Sequence, residues 1–134
     1  MSAHVFTRIV LGLSSLTFAG LGVSFLLDPV GMAAVVELEP TSALAVSDVR
    51  AVYGGLEIGL AWALGATLRS ASTLRGGVIL HNIVWGGLAG GRSLAFALGE
   101  GPDSFAWMLL GSEMVGLGLG VAAWWAMRRS RETD

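Results

Sequence analysis

Five polar side chains inside otherwise apolar sequence are of types that could do chemistry. They are Arg50, Tyr53, Glu57, Arg92 and Glu113. The first three share one helical face, at spacings i, i+3 and i+7. In such a set a carboxyl group can act as a general acid or base, a guanidinium can hold an anion bidentately and a phenol can donate a hydrogen bond. Glu57 and Glu113 are therefore candidate catalytic groups, and all five are candidate ligand-binding residues.

The composition predicts what surrounds these side chains. The chain has 134 residues, which is typical of one domain, 1–134. Apolar residues make up 54% and charged residues 13%, which is about half the charge of an ordinary soluble domain. The mean hydropathy is +0.71. A soluble protein of this size needs a larger charged surface, so we expect an integral membrane protein.

Four long apolar segments would position the polar side chains. They are residues 6–27, 49–68, 76–98 and 104–127, and each approximates the ~20 residues that cross a bilayer. The sequence thus predicts an all-α membrane protein with a four-helix bundle. Asp28 before Pro29 is typical of a capped helix start and predicts a short interfacial helix at about 30–36. A signal peptide is the competing interpretation of the first segment, but its apolar run exceeds the usual 7–15 residues.

The distribution of charge predicts the topology. Arg8, Arg69, Arg75 and three arginines of the tail flank one set of segment ends, whereas the loops at the other ends carry only Asp and Glu. The positive-inside rule assigns the arginine-rich side to the cytoplasm. We therefore expect a multi-pass protein of the cell (cytoplasmic, or inner) membrane with both termini in the cytoplasm.

The same topology places the candidate residues at similar depths. At a rise of 1.5 Å per residue, Glu57 lies roughly 10 Å below Arg50, and Arg92 and Glu113 also fall in the outer half of the bilayer. Charges are expensive there, so they should face inward and form a neutral Arg/Glu cluster between the second, third and fourth helices. Two interpretations stay open. The cluster is a structural ion-pair network, or it is a ligand or proton site in which one carboxyl group is kept protonated by desolvation and its neighbour.

Other polar residues carry less weight. Asp48 opens the second segment, and His81 and Asn82 lie in the inner third of the third segment, where a packing role is more typical than a ligand role. With no cysteine and only two histidines, the sequence predicts no metal site and no cofactor. The charge pattern excludes a nucleic-acid partner. Glycine pairs of the GxxxG type indicate close helix packing, within the bundle or against a second copy or another membrane protein.

One stretch carries a family resemblance. A first helix that ends in Leu-Leu-Asp28-Pro29, an acidic loop and then Ser47-Asp-Val-Arg-Ala-Val-Tyr-Gly-Gly-Leu-Glu-Ile-Gly59 resembles the family catalogued as domain of unknown function 4345. Its members are small, mostly bacterial four-helix membrane proteins. The layout is more distantly similar to DoxX-like four-helix membrane proteins. The resemblance implies architecture and location but no activity.

Three functions follow as hypotheses. The first is an accessory or structural membrane protein whose Arg/Glu cluster holds its own helices together. The alternative is a binding or enzymatic site for a small lipophilic or amphipathic molecule, with Glu57 and Glu113 as acid and base and Arg50 and Arg92 as an anion clamp. A proton-coupled carrier is the second alternative. It ranks last because four short helices leave little room for alternating access. The sequence leaves open whether the protein is an enzyme.

Overall fold

Helices run through most of the described residues, 2–100 and 103–132 of this computed structural model, and no strand occurs among them. The all-α prediction is therefore confirmed. The helices are α1 (Ala3–Leu27), α2 (Pro29–Val35), α3 (Ala43–Val49), α4 (Leu56–Thr67), α5 (Ala71–Ala97) and α6 (Ser104–Glu132), with a π-helical segment, Arg50–Gly55, between α3 and α4.

Serine caps move two helix starts away from their predicted positions. The helical stretch predicted to begin at 49 begins at Ala43, where the Ser42 side chain accepts a hydrogen bond of 3.1 Å from the Ala45 amide. The helix predicted to begin at 76 begins at Ala71, capped by Ser70. The predictions began the helices with the apolar runs, whereas the chain turns helical where a side chain satisfies the first free amides. The last helix likewise continues to Glu132, five residues beyond its predicted end.

The short helix predicted at 30–36 is α2, Pro29–Val35. Asp28 caps it by accepting a hydrogen bond of 2.9 Å from the Gly31 amide. Two residues after its last one stands Glu37, whose φ of 57° lies in the left-handed region. The amides of Glu37 and Leu38 bond back to the carbonyls of Ala34 and Ala33, which is the Schellman pattern. Helix α5 ends in the same pattern, but there glycine, Gly99, takes the left-handed position.

The π-helical segment was not predicted. The amide of Leu56 bonds to the carbonyl of Ala51, five residues back instead of four. Such an insertion shifts the faces of the helix on either side of it and is often found at functional sites. Arg50 and Tyr53 both lie in this segment. The hydrophobic pattern of the sequence contains no signal for the extra residue.

Residues Gly12–Ala66 form one compact unit. Within it, α1 packs antiparallel to α4. The Ser15 hydroxyl donates a hydrogen bond of 2.7 Å to the Ala61 carbonyl, and a Cβ atom placed on Gly22 would lie 2.9 Å from the Gly54 carbonyl oxygen. A Cβ atom on Gly54 would in turn lie 2.8 Å from the Leu26 side chain, so glycine at both positions lets the two helices approach closely. The unit also contains a small apolar cluster. It consists of Phe25, Ala33 and Val49 with Met32 and Val36.

The second compact unit joins the start of α1, up to Leu11, to the chain from Thr67 onward. Its main element is the antiparallel hairpin of α5 and α6. Leu11 and Leu74 are fully buried in it, and a Cβ atom on Gly77 would collide with the Thr67 hydroxyl and with Leu11. Tight packing against glycine thus recurs in both units.

In the described part of the chain, two helices are long and apolar enough to cross a membrane. They are α1, with a mean hydropathy of 1.9, and residues Ser104–Ser130 of α6, with 1.5. Only 11% of the apolar window of α6 is buried, whereas the core helix of a soluble protein would be mostly covered. Leu16 and Trp62 are each 72% exposed on other helices. Apolar exposure on this scale indicates membrane association.

Candidate functional site

Arg92 and Glu113 meet across the α5–α6 hairpin. The Arg92 Nη2 atom donates to Glu113 Oε1 at 2.8 Å, and Nε lies 3.0 Å from Oε2 and 3.1 Å from Oε1. The Glu113 side chain is 6% exposed and that of Arg92 is 29% exposed. A bidentate contact of this kind fixes both groups in one geometry and satisfies both carboxylate oxygens. These two predicted site residues are brought together.

Arg50 forms a different contact. It lies in the π-helical segment, and its Nε donates a hydrogen bond of 3.0 Å to the Leu26 carbonyl. Leu26 is in the last turn of α1, where backbone carbonyls have no partner within the helix and a positive charge is favourable. Arg50 therefore caps the end of α1. Asp48, also proposed as a lower-ranked site residue, is exposed on α3.

Tyr53 packs on the same end of α1. Its ring stacks on Phe25 with the centroids 5.2 Å apart and the ring planes 28° from parallel. The side chain is 39% exposed. Arg50 and Tyr53 together thus attach the π-helical segment to α1, one through a hydrogen bond and the other through ring stacking.

Glu57 differs from Glu113 in its hydrogen bonding. It lies in the first turn of α4 and is half-buried, and its Oε2 atom is buried without a hydrogen bond among the described residues. Its own compact unit also contains Arg50 and Tyr53, whereas Arg92 and Glu113 belong to the other unit. The common cluster of all these groups stays a prediction.

His81 is a packing residue. It is 1% exposed, and its Nε2 atom lies 2.9 Å from the Gly116 carbonyl oxygen. Gly120 and Gly116 on α6 leave the space that His81 and Trp85 occupy, because a Cβ atom on either glycine would collide with those rings. Among the GxxxG pairs, Gly116 and Gly120 therefore serve the hairpin itself.

Asn82, next to it, donates from Nδ2 to the Val78 carbonyl at 2.9 Å, while its Oδ1 atom is buried without a hydrogen bond among the described residues. That oxygen faces Gly120, where a Cβ atom would lie 2.6 Å from it. Within the part of the chain that the structure describes, no three His, Asp or Glu side chains are grouped to hold a metal ion.

The sequence prediction missed a cavity at the arginine-rich end of the second unit. It measures about 470 Å³ and lies where the start of α1, the start of α5 and the end of α6 meet. His4, Ser72, Arg75 and Ser130 are among its lining residues. In the prediction from the sequence, the arginines there served only as markers of topology. A signal was present in the polar residues just before Arg75, but nothing in the sequence pairs them with His4 or Ser130.

Comparison with known proteins identifies one family. The model described as "Domain of unknown function (DUF4345)" matches residues 6–125. The matched range contains each candidate residue from Asp48 to Glu113, together with Arg75. No curated protein and no solved structure matches the chain.

Proposed function

The chain belongs to the family described as domain of unknown function (DUF4345), and on that premise we propose that it is a structural, non-catalytic protein of the cell membrane. Its helical segments would cross the bilayer four times, with the stretch from Ala43 to Thr67 forming the second crossing and α2 lying at the interface. The protein would act as an accessory subunit whose polar side chains hold its own helices together.

Support for the membrane placement comes from apolar exposure and from charge. Large apolar side chains are exposed on helix after helix, with Leu27 at 79% and Trp62 at 72%. Residues from the start of α1, the start of α5 and the end of α6 line one cavity, so these helix ends, each with an arginine nearby in the sequence, gather at the same end of one unit. An arginine-rich end of this kind favours the cytoplasmic side, which is consistent with both termini inside.

The Arg92–Glu113 contact carries the structural role. A group that transfers protons during a reaction must reach its substrate, and its partner must leave a lone pair or proton accessible. Here both carboxylate oxygens of Glu113 accept from one guanidinium, and the carboxylate is 6% exposed. Each carboxylate oxygen therefore has a donor within the hairpin, and the burial of the carboxylate leaves little of it open to a ligand. The contact favours a clasp over an active site.

Exchange of the two residues tests this role. In the variant Arg92→Glu with Glu113→Arg, the ion pair is retained with its polarity reversed, so resistance to unfolding in detergent should largely return. The single variants Arg92→Glu and Glu113→Arg each place two like charges together and should be strongly destabilised. If the double variant is as unstable as the sum of the single variants, the clasp is wrong, because the interaction energy between the sites would be absent.

Glu57 favours a second candidate function. A buried carboxyl oxygen without a hydrogen bond costs free energy unless something supplies a partner. A small lipophilic or amphipathic molecule with a hydrogen-bond donor, or a transported proton, would supply one, as in the binding, enzymatic or carrier hypotheses. Native mass spectrometry of gently purified protein tests this. A molecule that co-purifies with the wild type and is lost in Glu57→Gln would favour the site over the clasp.

A further inference from the structure

The cavity at the arginine-rich end of the second unit has the chemistry of an anion site. Arg75 supplies a guanidinium, Ser72 supplies a hydroxyl group and His4 supplies an imidazole. Ser130 also lines the cavity, but its hydroxyl donates to the Ala126 carbonyl at 2.9 Å. Among the described residues that line it, none is acidic. A volume of about 470 Å³ is within the range of small-molecule sites and well above the space that one water molecule needs. Positive charge and hydroxyl donors without a carboxylate select a phosphate or a similar anion.

Trp124 holds a second cation, Arg128, near the cavity residue Arg75. The Arg75 guanidinium carbon lies 5.1 Å from the centre of the indole ring and that of Arg128 lies 5.3 Å from it. Contact with the ring stabilises each cation. The two like charges are thereby held no farther apart than the sum of those distances, which raises the local positive potential. An anion placed beside them would offset that repulsion.

An apolar groove of about 380 Å³ lies on the same hairpin. Its walls are Ile79, Asn82 and Ile83 on α5 and Leu117, Val121 and Trp124 on α6. Ile79 follows Arg75 by one helical turn, and Trp124 precedes the cavity residue Met127 by nearly one turn, so cavity and groove share the same helix faces. The contact between Arg75 and Trp124 joins the two.

A polar cationic cavity followed by an apolar groove matches a molecule with an anionic head and a long hydrocarbon tail. We propose that this part of the hairpin binds one anionic phospholipid. Its phosphate contacts Arg75 and the Ser72 hydroxyl, which can accept from the Ser70 hydroxyl 2.8 Å away and donate to the anion, and one acyl chain lies in the groove between α5 and α6. The proposal rests on the membrane insertion proposed above, which places this end at the cytoplasmic leaflet, where anionic lipids are concentrated. A free phosphate ion would occupy the cavity alone and leave the groove empty.

Native mass spectrometry of the full chain in nanodiscs tests the head-group contact. The nanodiscs contain equal amounts of dioleoyl phosphatidylglycerol and dioleoyl phosphatidylcholine, and retained lipid is counted after release. The wild type should retain phosphatidylglycerol in preference to phosphatidylcholine. Arg75→Gln should reduce that preference about fivefold, the factor that corresponds to ~1 kcal/mol for one arginine at an anionic surface. Arg69→Gln removes an equal charge at the same end, outside the cavity lining, and should leave the preference unchanged.

Further comparisons separate the sources of the anion. Ile79→Ser with Ile83→Ser should weaken the retention of dioleoyl phosphatidylglycerol, and inorganic phosphate should compete poorly for the site. Arg75→Lys keeps the charge and should keep most of the preference. Equal loss in Arg69→Gln and Arg75→Gln would overturn the proposal, since that result indicates a general charge effect. Competition by inorganic phosphate as strong as by lipid would also overturn it, in favour of a free-anion site.

A separate measurement distinguishes failure of the proposed membrane insertion from failure of the lipid site. A chain that sodium carbonate extracts from cell membranes is not inserted, and the proposed function is then wrong along with this inference. A chain that resists extraction but shows no preference between the two lipids contradicts the lipid site alone.

Discussion

Glu113 receives all of its described hydrogen bonds from one residue, Arg92, which lies 21 positions away on the preceding helix, with Nη2 2.8 Å from Oε1. The carboxylate is almost fully buried, while the guanidinium is partly exposed. The buried Glu113 carboxylate therefore depends on Arg92 for compensation of its lost hydration. Glu57, the second carboxylate of the apolar segments, has a buried oxygen without such a partner among the described residues.

Loss of the Glu113 charge should destabilise the protein. Glu113→Gln removes the ionic part of the contact and leaves a buried guanidinium edge less well paired, so we expect a loss of about 1–3 kcal/mol in the free energy of unfolding. The measurement is reversible unfolding in detergent micelles. Glu100→Gln is the matched control, because Glu100 is an exposed carboxylate of the same unit. Equal effects of the two substitutions would show that the pair contributes nothing specific.

Replacement of Glu57 should not lower the free energy of unfolding as replacement of Glu113 does. The Glu57 Oε2 atom is buried and has no hydrogen bond from any residue that the structure describes. Glu57→Met, which keeps the length of the side chain, should therefore leave stability unchanged or raise it by up to about 1 kcal/mol. The same unfolding assay measures it. Destabilisation as large as that of Glu113→Gln would mean that Glu57 has an ionic partner and belongs to the predicted cluster after all.

Two glycines of α6 should respond differently to alanine. A Cβ atom on Gly116 would lie 2.5 Å from the Trp85 ring, whereas one on Gly118 meets nothing within 4 Å. Gly116→Ala should therefore cost about 1–3 kcal/mol through overpacking. Gly118→Ala should be neutral or stabilising by up to about 1 kcal/mol, since alanine favours a helix. Thermal unfolding of both variants checks this, and similar shifts in both would contradict the described packing of α5 on α6.

The two Schellman ends offer a reciprocal test. Glu37 has a φ of 57° and Gly99 a φ of 82°, and a residue with a Cβ atom in that region is disfavoured by about 1–2 kcal/mol. Glu37→Gly should therefore raise stability by about 0.5–1 kcal/mol, after the entropy of glycine is subtracted. Gly99→Ala should lower it by about 1 kcal/mol. Circular dichroism during thermal unfolding measures both changes. A drop in stability for Glu37→Gly would mean that the Glu37 side chain contributes a contact of its own.

Labelling of single cysteines tests the topology without background, because the chain has no cysteine. With both termini in the cytoplasm, Glu39→Cys and Glu100→Cys should react with a membrane-impermeant maleimide in intact cells. Ser2→Cys and Arg69→Cys should react only after the cells are made permeable. All four positions are exposed, so burial does not explain a lack of labelling. Labelling of Ser2→Cys in intact cells would contradict the proposed orientation.

The order of the elements was predictable because it depends on local chemistry. Apolar runs of about 20 residues favour helices, and Asp28 before Pro29 predicted a capped short helix that the structure places at Pro29–Val35. The starts at Ala43 and Ala71 were predicted wrongly, since the apolar run was weighted more than Ser42 and Ser70. The two serines are capping signals that the sequence contains.

The partners of the charged residues were predictable only in part. Similar depth suggested Arg92 for Glu113, and the structure pairs them. The same reasoning gave Arg50 a carboxylate partner, yet its Nε bonds to the Leu26 carbonyl. A π-helical turn lies at Arg50 and turns the faces of the helix there, and the hydrophobic pattern contains no trace of it.

The sequence by itself determined the helical class, the apolar segments and the arginine-rich ends, because propensity, hydropathy and charge are properties of residues and their near neighbours. Only the tertiary structure decided that Arg92 pairs with Glu113, that Arg50 caps α1 and that Arg75 and Arg128 share Trp124. Each of these contacts depends on the rotation and register of one helix against another. A turn of a helix by one residue moves a side chain by about 100°, so small differences in packing decide which groups meet.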